Sequence, residues 1–166
     1  MPYANVQFRP ATPADVNEAT PLIYASGPDV CEYILKDLKK GSAEKFLHFA
    51  FQKSGGELGY TNHICATIDG KVVGIGAIWS GQHSLRFMLQ EIKNVFKFYG
   101  IFRGVRVLIR GLKSELMIRP PRTKEYAIAH LGVDASLRGK GIGTLLIQHL
   151  LSQIKLNQQN AKEILC

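Results

Sequence analysis

Arg138, Gly139, Lys140, Gly141, Gly143 and Thr144 fall within seven positions, between an apolar run at 127–133 and a second apolar stretch at 145–151. The pattern predicts a strand, a glycine-rich turn and a helix. The first turn of a helix has backbone N–H groups without intrahelical partners, and glycines let another molecule approach them closely. With two basic side chains and no acid in the helix's first turn, such a turn suits a compact anion such as a pyrophosphate. Inside the preceding apolar run lies His130, and at its start Glu125. An imidazole with an ordinary pKa of about 6.5 takes a proton near neutral pH without a large shift, so His130 is the first candidate base. Strand alternation would put it on one face with Ile128, Gly132 and Tyr126. The competing reading is a half-buried strand histidine bonded to backbone. Glu125 is the second candidate base, or else an exposed charge at the strand entrance. His63 and His83 are further histidines near strand ends.

Two nucleotide-binding patterns fail on spacing. A Walker A loop places Lys directly before the Ser or Thr, whereas Lys140 precedes Gly141 and Thr144 follows Gly143. A dinucleotide-binding fold places its glycines after the first strand and an acid about 20 residues later. Here the glycines lie near the C-terminal end rather than after the first strand, and their polar neighbours include the amides of residues 157–160.

The elements that must position this turn can be read in order. Residues 6–9 alternate as a short strand, and Thr12-Pro13 opens a helix over about 14–24. Helices follow at 28–38 and from Ser42 to about 54, each closed by glycine. His63 to Ile68 and Lys71 to Trp79 form a hairpin about Asp69-Gly70, and Gly74 and Gly76 point to a bulge or a close approach in its second strand. Leu85, Met88, Leu89, Ile92, Phe96 and Tyr99 recur at helical spacing up to Gly100. A second helical pattern covers about 102–118, with Arg103, Arg106, Arg110 and Lys113 as a basic stripe opposite Val105, Leu108, Ile109 and Leu112. The strand at 125–133 comes next, then the glycine turn and a helix over about 141–157. Glu163-Ile164 is expected to begin a further strand. The order implies an α/β or α+β mixed sheet rather than a doubly wound one.

The 166 residues suit a single domain over 4–166, with a basic helical insertion at 85–124. The net charge of +8 belongs to that insertion, since nine basic residues between Lys93 and Lys124 face Glu115 alone. The stripe is a solvated face, or a surface attracting acidic acceptors or phosphates. Nucleic acid is disfavoured because no aromatic interleaving accompanies it. No membrane partner is expected, because Arg103, Arg106 and Arg110 interrupt the best apolar stretch and no Trp- or Phe-rich face opposes them. Cys31, Cys65 and Cys166 form no CxxC or Cys/His cluster, so no metal site is expected and a reducing cytoplasm is the default compartment.

Residues 133–146, Val-Asp-Ala-Ser-Leu-Arg-Gly-Lys-Gly-Ile-Gly-Thr-Leu-Leu, resemble the acetyl-CoA-binding motif of the GNAT family of N-acetyltransferases. Arg138, Gly141 and Gly143 fill the fixed positions of its [Arg/Gln]-x-x-Gly-x-[Gly/Ala] pattern. Arg9-Pro10 before Thr12-Pro13-Ala14-Asp15, and Val72-Val73-Gly74 after the hairpin turn, are similar to further family features. The resemblance implies the acyl-CoA N-acyltransferase fold and acetyl transfer from acetyl-CoA to a primary amine of a small molecule or peptide. It assigns the CoA pyrophosphate to the N–H groups of Arg138, Gly139, Lys140, Gly141, Ile142, Gly143 and Thr144. The pantetheine arm would bond along Leu131, Gly132 and Val133, with an N–H there stabilising the oxyanion. The family pattern continues past Cys166 with a helix and strands that often carry a tyrosine general acid. By that pattern the chain reads as C-terminally short, and no residue takes the acid's role. An unfinished sheet edge would then be covered by a partner, with a homodimer as one solution. The alternative function is a non-catalytic CoA-binding or protein-interaction module on the same fold.

Overall fold

Strands β1 (Gln7–Pro10), β2 (His63–Ile68), β3 (Lys71–Ser80) and β4 (Tyr126–Val133) pair antiparallel in the order β1-β2-β3-β4. The structure is a computed structural model that describes residues 5–36, 42–115, 121–123 and 125–164. Asp69 and Gly70 both have positive φ (50° and 80°), as a two-residue hairpin with right-handed strand twist requires. Because side chains alternate along a strand, the sheet serves two cores. On one face Cys65, Val72 and Ile75 pack with α1 (Val16–Ser26) and α3 (Ser42–Phe51) through Ala19, Ile23, Phe46, Leu47 and Phe51. On the other, Ala66 and Val73 meet Ile142, Leu146 and Leu150 of α5 (Ile142–Ile164).

Several expected boundaries move. Residues 13–15 form a 3-10 turn, and α1 starts only at Val16. Helix α2 (Pro28–Leu35) stops before the expected end at 38, and the Lys40-Gly41 stop lies outside the described residues. The two helical patterns after β3 run together as α4 (Ser84–Glu115), broken where Gly100 takes φ 73° and ψ 177°. Residues 116–118, the expected end of the second pattern, lie outside the described residues. The strand expected at Glu163-Ile164 is absent, since α5 continues through Ile164. The physical reason is that residues 157–160 are polar but contain neither Gly nor Pro, so nothing interrupts the helical hydrogen bonds.

The second half of α4 divides into sectors that the sequence pattern misassigned. Gly104 and the buried Val107 face inward, and Gly111 lies against Ile34 of α2. Small residues therefore seat this helix. The large apolar side chains of Ile101, Phe102, Ile109 and Leu112 stay exposed beside the basic stripe, Phe102 by 90%.

Two contacts fix the sheet's N-terminal helix. Arg9 and Asp15 make a paired contact (2.8 and 2.6 Å), and Asp15 Oδ2 also accepts from the Thr12 N–H and hydroxyl (2.7 and 2.9 Å). These bonds, with Arg9 foremost, hold the Asp15 carboxyl down at about 2. At the other end of α1, a Cβ on Gly132 would lie 2.3 Å from the Leu22 carbonyl oxygen. Gly132 is thus what lets α1 press on β4. Gly132→Ala is expected to destabilise the fold by about 1–3 kcal/mol, as overpacking against backbone does. A urea titration reads this as a lower midpoint, and an unchanged midpoint would mean that α1 does not depend on this approach.

Candidate active site

The ladder between β3 and β4 breaks where chemistry was expected. Ile75 pairs with Gly132 and Ala77 with Ala129, so Gly76 alone opposes both His130 and Leu131. This is a β-bulge, and His130 carries its left-handed residue at φ 54°. Gly76 has room for it: a Cβ there would come within 3.0 Å of Leu131 and 2.7 Å of Leu150. The bulge corrects the expected faces. Leu131 turns toward α5, where Ile128 also packs, whereas His130 and Gly132 face the α1 and α3 side. His130 therefore does not share a face with Ile128.

On that side His130 stacks on His63 at 5.2 Å between ring centroids, and His63 in turn leans on Phe51. His63 Nδ1 lies 2.9 Å from the Gly59 carbonyl, and its Nε2 lies 3.1 Å from His130 Nδ1. A carbonyl only accepts, so His63 must donate from Nδ1. Its Nε2 is then a lone pair and accepts the Nδ1 proton of His130. The outcome is a fixed tautomer, with His130 Nε2 left as an acceptor. Burial pushes both imidazoles down, His63 to about 4 and His130 to about 3, with the neighbouring His63 adding to the second. The expectation that His130 titrates near its ordinary value is thereby overturned. A buried ring pair cannot accept charge cheaply.

His130 Nε2 faces Glu57 Oε1 at 3.8 Å, and the His130 side chain keeps 16% of its surface exposed against 49% for Glu57. Two hydrogen-bond acceptors this close favour a donor that bridges both from one side, such as water, an amine or an ammonium. Glu91 stands behind this loop. It accepts from the Leu58 N–H at 3.2 Å, and burial lifts its carboxyl to about 7, with the Glu57 charge contributing. Glu57 and Glu91 had no signature in the sequence, and His63 stood there only as one histidine among others. Glu125, the second candidate base, lies at the far end of β4. Its carboxylate accepts from the Arg122 N–H at 2.9 Å within the turn that enters the strand. It belongs to that turn and has no contact with His130.

At the C-terminal end of β4, Asp134 caps a 3-10 turn through Ser136, and the glycine loop follows. Gly139 and Gly141 have φ 73° and 88°, and a Cβ on either would meet nothing within 4 Å. The Gly141 carbonyl accepts the first bond of α5, from the Leu145 N–H at 3.1 Å. The N–H groups of Ile142, Gly143 and Thr144 thus open the helix, whose first turn carries no acid. Ile142 is buried as the anchor of α5, and Gly143 lies against Val133. Arg138 donates from Nε to the Val133 carbonyl at 3.2 Å, which ties the loop to the strand end. The exposed, open geometry at Gly139–Gly141 together with the helix start fits a diphosphate. Among the described residues, β4 pairs only with β3, leaving its outer edge open.

A bulged edge strand that runs from a half-buried histidine to a glycine-lined helix start is an arrangement suited to acyl transfer. The model of the acetyltransferase (GNAT) family matches residues 30–165, and the chain belongs to that family. It is an N-acetyltransferase by class. No curated protein sequence matches it. Among solved structures, an N-acetyltransferase from Staphylococcus aureus Mu50 is similar at 20% identity, over 89% of this chain and 75% of that one, with a TM-score of 0.65. A second acetyltransferase is similar at 20% identity, over 92% of this chain and 76% of that one, with a TM-score of 0.66. At these identities the likeness is one of fold.

Proposed function

We propose that this protein transfers an acetyl group from acetyl-CoA to a primary amine of a small molecule or peptide. The observation that carries the reading is the facing pair of acceptors, His130 Nε2 and Glu57 Oε1, 3.8 Å apart beside the β4 bulge. When bound, acetyl-CoA supplies an activated thioester. The N–H groups of residues 139–144 would hold its pyrophosphate, with Lys140 and Arg138 adding charge, and the open edge of Leu131, Gly132 and Val133 would take the pantetheine arm. Glu57 draws the cationic acceptor in, and bulk water takes the ammonium proton as pH rises. His130 Nε2 then accepts a hydrogen bond from the neutral amine and holds its lone pair toward the acyl carbonyl. As the C–N bond forms the C–S bond would break, CoA would leave as its thiolate, and the proton shed by the amine nitrogen would pass through water to that thiolate. His63 keeps His130 in the tautomer that can do this. A backbone N–H released by the bulge is suited to the developing oxyanion.

The described cysteines, Cys31 and Cys65, are unpaired thiols, which supports a reducing, cytoplasmic setting. No helix among the described residues is long and apolar enough to cross a membrane. The test is calorimetry with acetyl-CoA and CoA, followed by thiol release across a panel of primary amines. Binding with amine-dependent release is expected. Tight CoA binding without release from any amine would give the chain to the non-catalytic module instead.

A further inference from the structure

Beyond Gly100, helix α4 carries three sectors, and the rest of the protein covers only one of them. At about 100° per residue, Gly104, Val107 and Gly111 share the inward side, where Val107 is buried and Gly111 meets Ile34 of α2. Ile101, Val105, Ile109 and Leu112, with Phe102 at their margin, fall within a second sector about 100° wide. All five side chains are exposed, Ile101 by 72% and Leu112 by 66%. Arg103, Arg106, Arg110 and Lys113 fill a third sector about 80° wide, directly beside Phe102 and Ile109. Residues 101–114 contain no acid.

Single apolar side chains on a surface need no explanation, but five in one stripe about 20 Å long make a patch that marks an interaction site. The cations beside it decide among occupants. A second copy pairing with its helix antiparallel would lay one row of four cations against the other, and like charges repel. A nucleic acid would neutralise the cations and leave the Ile and Leu side chains in water. An anionic lipid surface takes both sectors. The apolar ridge enters the acyl boundary, while the Arg and Lys stems run along it and keep their charged ends among the headgroups. The expectation of no membrane partner came from arginines interrupting the apolar stretch and from the lack of a Trp- or Phe-rich face opposite them. Interruption excludes a spanning helix only. A helix lying in the plane of the surface needs an exposed apolar sector beside its cations, and this one has it.

We infer that residues 101–114 of α4 dock the protein flat on an anionic membrane surface, with Ile101, Phe102 and Leu112 inserted and the basic row at the headgroup phosphates. The docking does not depend on the acetyl-transfer reading. It stands or falls on lipid binding alone.

The test is co-sedimentation of the full chain with vesicles of phosphatidylcholine alone or mixed with phosphatidylglycerol at about 2:1. Binding to the mixed vesicles is expected to be about 10-fold tighter or more, and to weaken as salt is added. Phe102→Ser combined with Leu112→Ser should weaken it by about 10-fold with the melting curve unchanged, since both side chains already lie in solvent. Arg106→Glu combined with Lys113→Glu should abolish the preference for the anionic vesicles. Failure to sediment with the mixed vesicles, equal binding to both kinds, or binding that survives the two serine substitutions overturns the proposal. A concentration-dependent dimer in lipid-free buffer that the serine substitutions dissolve would give the face to a second copy, and would overturn it as well.

Discussion

His130→Asn is expected to lower kcat/KM for amine acetylation by about 100-fold or more, equally from pH 6 to pH 9. The pH independence is the informative part. With burial holding the imidazole at about 3, His130 is neutral over that whole range, and its removal cannot delete a limb of the profile. The wild-type rate should instead rise with pH through the ionisation of the acceptor's ammonium, with no inflection near 6.5 owed to this residue. Asn is the better replacement, because position 130 has φ 54° and Asn tolerates left-handed backbone where Ala is strained. A melting curve separates catalytic loss from unfolding. A His130→Asn profile that loses only an acidic limb near 6.5 would show that the ring titrates there, and would overturn the neutral-acceptor role.

Gly141→Ala is expected to weaken CoA binding by about 10-fold or more while lowering unfolding stability in urea by only about 1–2 kcal/mol. Nothing crowds a Cβ at this position, so the folded protein loses only the left-handed preference of glycine at φ 88°. The ligand loses more. A Cβ there projects into the open space over the first N–H groups of α5, and the strained loop re-aims those groups. Calorimetry with CoA reads the first effect and denaturation the second. The contrast with Gly132→Ala, where the Leu22 carbonyl blocks the Cβ at 2.3 Å and stability should fall, sorts the two glycines by role. If Gly141→Ala binds CoA normally, the diphosphate does not sit on this loop.

The glycine loop was legible because its determinants are contiguous. Backbone freedom at Gly139 and Gly141, the absence of an acid and the start of an amphipathic helix are all written into residues 138–151, and local geometry follows from local sequence. The Asp69-Gly70 hairpin and the suspicion of a bulge near Gly76 were legible for the same reason. Terminal α5 misled because a polar tract looks like a loop while containing no residue that stops a helix. The apolar set opposite the basic stripe of α4 misled because helical spacing shows which side chains share a face, but not which face the rest of the protein covers. Here small residues, Gly104 and Gly111, took the covered side.

The histidine side of the candidate site was decided by tertiary structure alone. His63 and His130 are 67 positions apart, and they meet only because β3 lies between their strands in a particular register. The bulge then changes which way His130 points, and the Gly59 carbonyl chooses its tautomer through His63. Burial, which no sequence window reports, moved its proton affinity out of the neutral range. Sequence therefore determined the glycine loop and helix start that are proposed to hold an anion, since these depend on consecutive backbone groups. The fold determined what faces it, since strand register and desolvation are properties of the packed chain.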